Sequence, residues 1–141
     1  MSWLPGRLVV DNVTMIDMQP VPFGLVLLKY LRTPRRVAPF FAWAERLGDE
    51  YEVTSRWEGR ALSNNGFYLV PNSRLTYGIS VAGNGYEGTM TAEAFGITLS
   101  LFALGQIANT TEDDGDILLY HALRDYALDH SESVEIMAAR D

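Results

Sequence analysis

The spacing of hydrophobic residues changes along the chain, and each change predicts a new element. Apolar side chains recur every three or four positions over residues 37–47, the spacing of a helix with one buried face. Pro39 suits the first turn of such a helix and Gly48 suits its end. The pattern therefore predicts one amphipathic helix that ends at Gly48.

Four short segments that predict strands follow this helix. Residues 53–57, 75–82 and 86–90 have a period of two, and residues 66–70 are rich in aromatic and β-branched types. Alternation of apolar and polar residues is typical of half-buried strands. The connections at residues 71–74 and 83–85 are short and contain proline, asparagine or glycine, whereas residues 59–65 form a longer one. Short turns of this kind pair successive strands antiparallel. We expect an antiparallel meander of three to four strands.

A long helix is predicted after the strands. Thr91 can cap it, and Glu93 suits the positive end of its dipole. Two apolar stripes coexist over residues 95–108, so this helix must be buried on two sides. Two further amphipathic segments, at residues 117–127 and 134–139, predict helices that surround it.

The first third of the chain has a less regular pattern. We expect a short strand near residues 8–10, then a proline-rich connection, and then an apolar segment at residues 25–31 whose type the pattern leaves open. The length of 141 residues suits one domain. The sequence thus predicts a single α+β domain over residues 1–141. It combines a three- to four-stranded antiparallel meander with a buried central helix and surrounding helices.

Composition removes several kinds of chemistry. The chain has no cysteine, which excludes a disulfide framework, thiol catalysis and cysteine-ligated zinc. With His121 and His130 as its two histidines, a histidine-built metal site is not expected either. The apolar runs are too short for a membrane span, and the first residues do not resemble a secretory signal. We expect a soluble, cytoplasmic protein with no metal, cofactor or membrane contact.

Charge is distributed unevenly and bears on the choice of partner. The net charge is −7, and residues 61–141 hold 3 basic and 11 acidic side chains, a difference of −8. This balance disfavours direct nucleic-acid binding. The charge is also far less dense than that of duplex DNA, with one charge per ~1.7 Å of axis, which disfavours close DNA mimicry.

Three short motifs allow more than one interpretation. Residues Gly83 to Gly88 match a dinucleotide-binding glycine pattern, but alternation on both sides favours a hairpin. The acidic run Glu112 to Asp116 lacks the ligand spacing of a calcium loop and favours a helix cap. His121 and Asp125 share a helix face as an acid–base pair or as a structural pair.

Residues 62–71, Leu-Ser-Asn-Asn-Gly-Phe-Tyr-Leu-Val-Pro, resemble the signature of the antirestriction protein family of the ArdB/KlcA type. Asn65 stands where the family has the first glycine of its Asn-Gly-Gly. Further matches follow in order at residues 41–47, 49–57, 81–88, 91–97 and 120–127. The resemblance covers residues 37–141, about three quarters of the chain, and residues 1–33 match poorly.

The resemblance implies a protein of plasmids, phages or genomic islands that protects incoming DNA by inhibiting host type I restriction endonucleases. It implies no enzymatic activity, and a type I restriction-modification complex as the direct or indirect partner. The alternative is an enzyme that binds a nucleotide or another small ligand at the Gly83–Gly88 turn. On the family interpretation, the expected partner-binding surface consists of Asn64, Asn65, Phe67, Tyr68, Asn84, Tyr86, Asp125 and Asp141.

Overall fold

Two antiparallel sheets pack with helices in the computed structural model, which describes residues 15–141. The strand predicted near residues 8–10 lies outside the described residues. The first sheet has the order β1 (Met18–Val21), β2 (Trp57–Leu62), β3 (Phe67–Pro71). The second sheet pairs β4 (Thr76–Val81) with β5 (Tyr86–Thr91).

The four helices after residue 37 occur at the predicted places. The undetermined segment at residues 25–31 is helical: α1 (Phe23–Val26) continues as a π-helical turn (Leu27–Leu31). A 3₁₀ turn (Pro34–Val37) leads into α2 (Ala38–Leu47). The later helices are α3 (Ala92–Thr111), α4 (Asp114–Leu128) and α5 (Ser133–Arg140). No helix of residues 15–141 has the length and apolar character needed to cross a bilayer.

The prediction of a central helix buried on two sides is confirmed. Every residue of α3 from Ala94 to Leu101 is buried, including two with hydroxyl groups. The predicted cap is present, because the Thr91 hydroxyl oxygen accepts a hydrogen bond from the Ala94 amide at 3.2 Å. Local capping and the double apolar stripe thus produce this helix together.

The α+β class and the antiparallel pairing are as predicted, but the strands divide between two sheets instead of forming one meander. The reason is that α3 covers the edge of β3 that β2 leaves free. The Ser100 hydroxyl accepts a hydrogen bond from the Leu69 amide at 3.1 Å and lies 3.4 Å from the Leu69 carbonyl oxygen, to which it donates. The Leu69 backbone groups on this edge are thus bonded to a side chain of α3, and β4 pairs with β5 in the second sheet.

The outer edge of β4 is closed by the loop that follows α2. The Asp49 amide donates to the Gly78 carbonyl at 2.9 Å, and the Gly78 amide donates to Glu50 Oε1 at 2.8 Å. Exposed strand edges invite pairing with other chains, and covering them with a loop prevents this.

The first strand after α2 is shifted from its predicted position. Val53 is 77% exposed and lies in a turn, while β2 begins at Trp57 and runs through residues predicted as a connection. Gly59 was predicted to belong to a connection, but it lies in a strand where close packing requires a glycine. A Cβ there would lie 2.5 Å from Val26 Cγ2. The pattern also missed β1, in which Pro20 occupies a strand at the edge of the described sheet, where proline is tolerated.

The start of α4 is held by a cap and an ion pair. Asp113 accepts a hydrogen bond from the Gly115 amide at 3.1 Å, which confirms capping by the acidic run. Asp116 is 1% exposed and accepts from Arg36 at 3.0 and 2.6 Å and from the Thr111 hydroxyl at 2.8 Å. Burial alone would raise the pKa of Asp116, but the Arg36 and Thr111 hydrogen bonds reverse this and leave its pKa below the ordinary value.

Candidate partner-binding surface

The turn between β2 and β3 is built by Asn64 and attached to α4. Its ends are joined by a hydrogen bond from the Leu62 amide to the Gly66 carbonyl at 2.9 Å. Asn64 Oδ1 accepts from the Gly66 amide at 3.1 Å, and Asn64 Nδ2 donates to the Ala122 carbonyl at 2.9 Å. One side chain therefore shapes the turn and fixes it to the helix.

Two further residues of this turn meet steric demands. Asn65 has a φ of 71°, in the left-handed region that asparagine tolerates better than most residues. Gly66 lies so close to α4 that a Cβ would be 2.8 Å from the Ala122 Cβ. The local geometry thus favours asparagine at residue 65 and requires glycine at residue 66.

Asn84 likewise shapes the turn between β4 and β5 and bonds it to a helix. Its Oδ1 accepts from the Tyr86 amide at 2.9 Å, and its Nδ2 donates to the Ala139 carbonyl at 3.0 Å near the end of α5. Gly85 adopts a φ of 76° in this turn. Both asparagines therefore join a turn to a helix through one side-chain amide.

Phe67 and Tyr68 do not belong to an exposed surface, so this part of the sequence prediction is wrong. Both side chains are fully buried. The Phe67 ring packs on Tyr30 at a centroid distance of 4.7 Å, and the Tyr68 ring stacks on Tyr126 at 5.8 Å. Burial also raises the pKa of the Tyr68 hydroxyl. All five residues of β3 are buried, and such a continuous apolar run is typical of a strand covered on both faces.

Three of the predicted residues meet at one place. Asn64 and Asn65 lie across a groove of about 440 Å³ from Asp125 of α4. We call it the α4 groove; it is lined by the two asparagines and by Leu118, Leu119, Ala122 and Asp125. His121 also lines it, as its helix spacing from Asp125 implied, and both side chains are exposed.

Leu118 also lines this groove, but it was not among the residues predicted for the partner-binding surface. It lies within the predicted amphipathic segment at residues 117–127, and its side chain is 67% exposed. Leu123 and Ala127, by contrast, are completely buried. The available signal was its helical spacing of four and seven positions from Asp114 and Asp125, which places it on a polar face.

The remaining predicted residues form a second group at the end of α5. Asn84 is bonded to Ala138 and Ala139, and the Asp141 amide donates to the Met137 carbonyl at 2.9 Å. Tyr86 is half-buried, and this burial raises the pKa of its hydroxyl. The contacts thus divide the predicted surface into one group at α4 and one at α5.

The Gly83–Gly88 segment is a hairpin and lacks the geometry of a dinucleotide site. Such a site needs its third glycine at the start of a helix. Here Gly88 lies inside β5, paired with Ile79, and α3 begins four residues later at Ala92. The alternative interpretation as a nucleotide-binding enzyme therefore loses its structural basis.

Comparison with known proteins agrees with the motif at the α4 groove. A family model described as antirestriction protein matches residues 49–141. This chain belongs to the antirestriction protein family. It is 38% identical over 136 residues to an antirestriction protein KlcA of Escherichia coli, covering 94% of this chain and 92% of the relative. A second KlcA of Escherichia coli is 36% identical over 145 residues, with coverage of 98% and 97%.

A solved structure shares the fold of this antirestriction protein. The TM-score is 0.72 at 35% sequence identity, and the match covers 89% of this chain and 95% of the other. That structure belongs to work on KlcA and ArdB, which show a novel fold and antirestriction activity against type I DNA restriction systems in vivo but not in vitro. The likeness confirms the predicted family and the α+β fold.

Proposed function

We propose that this protein protects incoming DNA by inhibiting host type I restriction endonucleases, as a cytoplasmic protein of a plasmid, phage or other mobile element. Its partner is the type I restriction-modification complex, reached directly or through another component of the cell. It acts through its surface and not as an enzyme. The observation that carries this proposal is the match over 89% of the chain to a structure of proteins with antirestriction activity.

KlcA and ArdB also indicate where this protein acts. Their activity against type I systems occurs in vivo but not in vitro. We therefore place the action of this chain inside the cell, where a component beyond the isolated restriction enzyme takes part.

Inhibition without close DNA mimicry is supported by the way this fold uses its carboxylates. Asp116 is buried against Arg36, Glu93 lies 2.7 Å from His130, and Glu132 is bonded to Thr91. These three groups belong to the acidic half of the chain, so part of its charge serves internal contacts. The free charge that remains is sparse beside a duplex with one charge per ~1.7 Å.

The test is the plating efficiency of unmodified phage on a strain with a type I system, with and without the protein. We expect expression to raise plating toward that of modified phage, and to change nothing in a strain that lacks the restriction system. Unchanged plating despite good soluble expression would reject the proposal. Cleavage of unmodified DNA by the purified enzyme, with the purified protein added, then separates direct from indirect inhibition.

A further inference from the structure

The exposed side of α4 carries an apolar residue between two acidic ones. Leu118 follows Asp114 by four positions and precedes Asp125 by seven, so the three side chains share one helix face. Leu118 is 67% exposed, while Leu123 of the same helix is buried in the core. A leucine on this face adds nothing to the core that α4 shares with α3.

Beside Leu118, the α4 groove offers an apolar floor and a rigid wall. Leu119 and Ala122 form the floor, and the turn at Asn64 forms the opposite wall. This wall is held in place by the bond from Asn64 to the Ala122 carbonyl at 2.9 Å. Apolar centres with polar rims are the usual anatomy of protein interfaces, and a preorganised wall lowers the entropy lost on binding.

Asp125 is the acidic residue that lines the groove, and Asp114 lies beyond the lining on the helix face that carries Leu118. Within residues 15–141, Asp114 and Asp125 take part in no ion pair, whereas Asp116 is neutralised by Arg36. Arg124 is exposed but does not line the groove. Charge complementarity therefore calls for cationic groups on whatever occupies the groove.

We propose that the α4 groove binds a short segment of a partner protein in which an apolar side chain is flanked by arginine or lysine. The apolar side chain packs on Leu118 and the groove floor, and the cations pair with Asp114 and Asp125. This inference rests on the proposed function, because it names the chemistry by which the restriction machinery, or the component that links to it, is recognised.

The first experiment measures plating of unmodified phage with variants of the groove. Leu118→Asp and Asp125→Asn remove the apolar contact and the charge, and we expect both to reduce protection. The matched controls are Leu75→Asp, at a leucine that is 89% exposed in a loop, and Glu52→Gln, at another exposed acid. Both controls should protect like the original chain, and thermal unfolding should show that all four variants are folded.

The second experiment uses a peptide in place of the partner and does not depend on phage. A short peptide with leucines flanked by arginines is titrated into the labelled protein, and amide shifts are followed by NMR. We expect shifts at the turn of Asn64 and Asn65 and along α4. Leu118→Asp should weaken binding about tenfold or more, because the variant no longer buries a leucine side chain against the peptide. Peptides with serine for leucine, or glutamate for arginine, should bind far more weakly.

The outcomes separate the two proposals. Protection by the original chain that is lost in both groove variants but kept in both controls supports the groove. Protection that all four variants retain contradicts the groove and leaves the proposed function standing. If the original chain gives no protection, the proposed function fails, and the peptide titration alone decides whether the groove binds basic, apolar segments. Absence of shifts at the groove would reject it.

Discussion

The hydroxyl of Ser100 takes the place of a neighbouring strand for Leu69. It accepts from the Leu69 amide at 3.1 Å and donates to the Leu69 carbonyl at 3.4 Å, although the two residues are 31 positions apart in the chain. Ser100 is completely buried, so water cannot replace these bonds. This relationship bonds α3 to β3, the last strand of the first sheet.

Replacing Ser100 by alanine should leave the Leu69 backbone groups buried and unpaired. A buried polar group without a partner costs about 1–3 kcal/mol, so the free energy of unfolding should fall by that amount. Chemical denaturation measures it. Thr110→Ala is the control, since the Thr110 hydroxyl lies on the exposed part of the same helix and bonds within it. An equal loss in both variants would contradict the role assigned to Ser100.

Gly96→Ala should destabilise the protein although alanine favours helices. A Cβ at residue 96 would lie 2.6 Å from the Leu69 carbonyl oxygen and 2.7 Å from Val70 Cγ2. Overpacking of this kind costs roughly 1–3 kcal/mol or more, which outweighs the gain of ~1 kcal/mol in helix propensity.

Gly105→Ala, in the same helix, provides the matched comparison. Its new Cβ would meet atoms no closer than 3.4 Å, so the gain in helix propensity should remain. Thermal unfolding should therefore show a lower midpoint for Gly96→Ala and an unchanged or higher midpoint for Gly105→Ala. The same sign in both variants would mean that close packing of α3 on β3 is not what requires Gly96.

Stability should decrease in acid because of Asp116. The folded state holds the pKa of Asp116 below its ordinary value, mainly through the hydrogen bonds from Arg36 that overcome burial. A group with a lowered folded pKa stabilises the protein above its unfolded pKa, and this contribution is lost as the pH falls through the folded pKa. The free energy of unfolding should therefore decrease as the pH falls below about 4.

The variant Asp116→Asn separates this group from the other carboxylates. It should be less stable than the original chain at neutral pH and should lose less stability between neutral pH and acid. Asp129→Asn, at an exposed site, should keep the pH dependence of the original chain. If denaturation curves for Asp116→Asn show an undiminished loss in acid, another carboxylate is responsible.

Asn64→Asp tests the hydrogen bond from Asn64 to the Ala122 carbonyl at the wall of the α4 groove. An aspartate can still accept from the Gly66 amide, but it cannot donate to the Ala122 carbonyl. We expect a loss of about 1–3 kcal/mol and faster amide hydrogen exchange in residues 63–66. Asn65→Asp is the control, because Asn65 is exposed and aspartate also tolerates the left-handed region. Comparable exchange in both variants would show that the bond to Ala122 does not hold the turn.

The candidate site was predictable in part. Asn64, Asn65 and Asp125 were all proposed from the sequence, and the structure places them around one groove. Phe67 and Tyr68 stood in the same motif but are core residues, because β3 is covered on both faces. A motif read along the chain does not distinguish a residue that shapes a turn from one that faces solvent, since both lie next to each other in sequence.

The sequence by itself determined the helices α2 to α5, the hairpin of β4 and β5, and the cap at Thr91. These features depend on residues a few positions apart, whose spacing and backbone preferences are visible in the chain. Only the tertiary structure decided that Ser100 closes the edge of β3 and that Gly59 belongs to a strand. Contacts between distant segments decide these points, and they leave no periodic signal in the sequence. The exposure of Leu118 depends on the tertiary structure in the same way, because another face of α4 packs against the core.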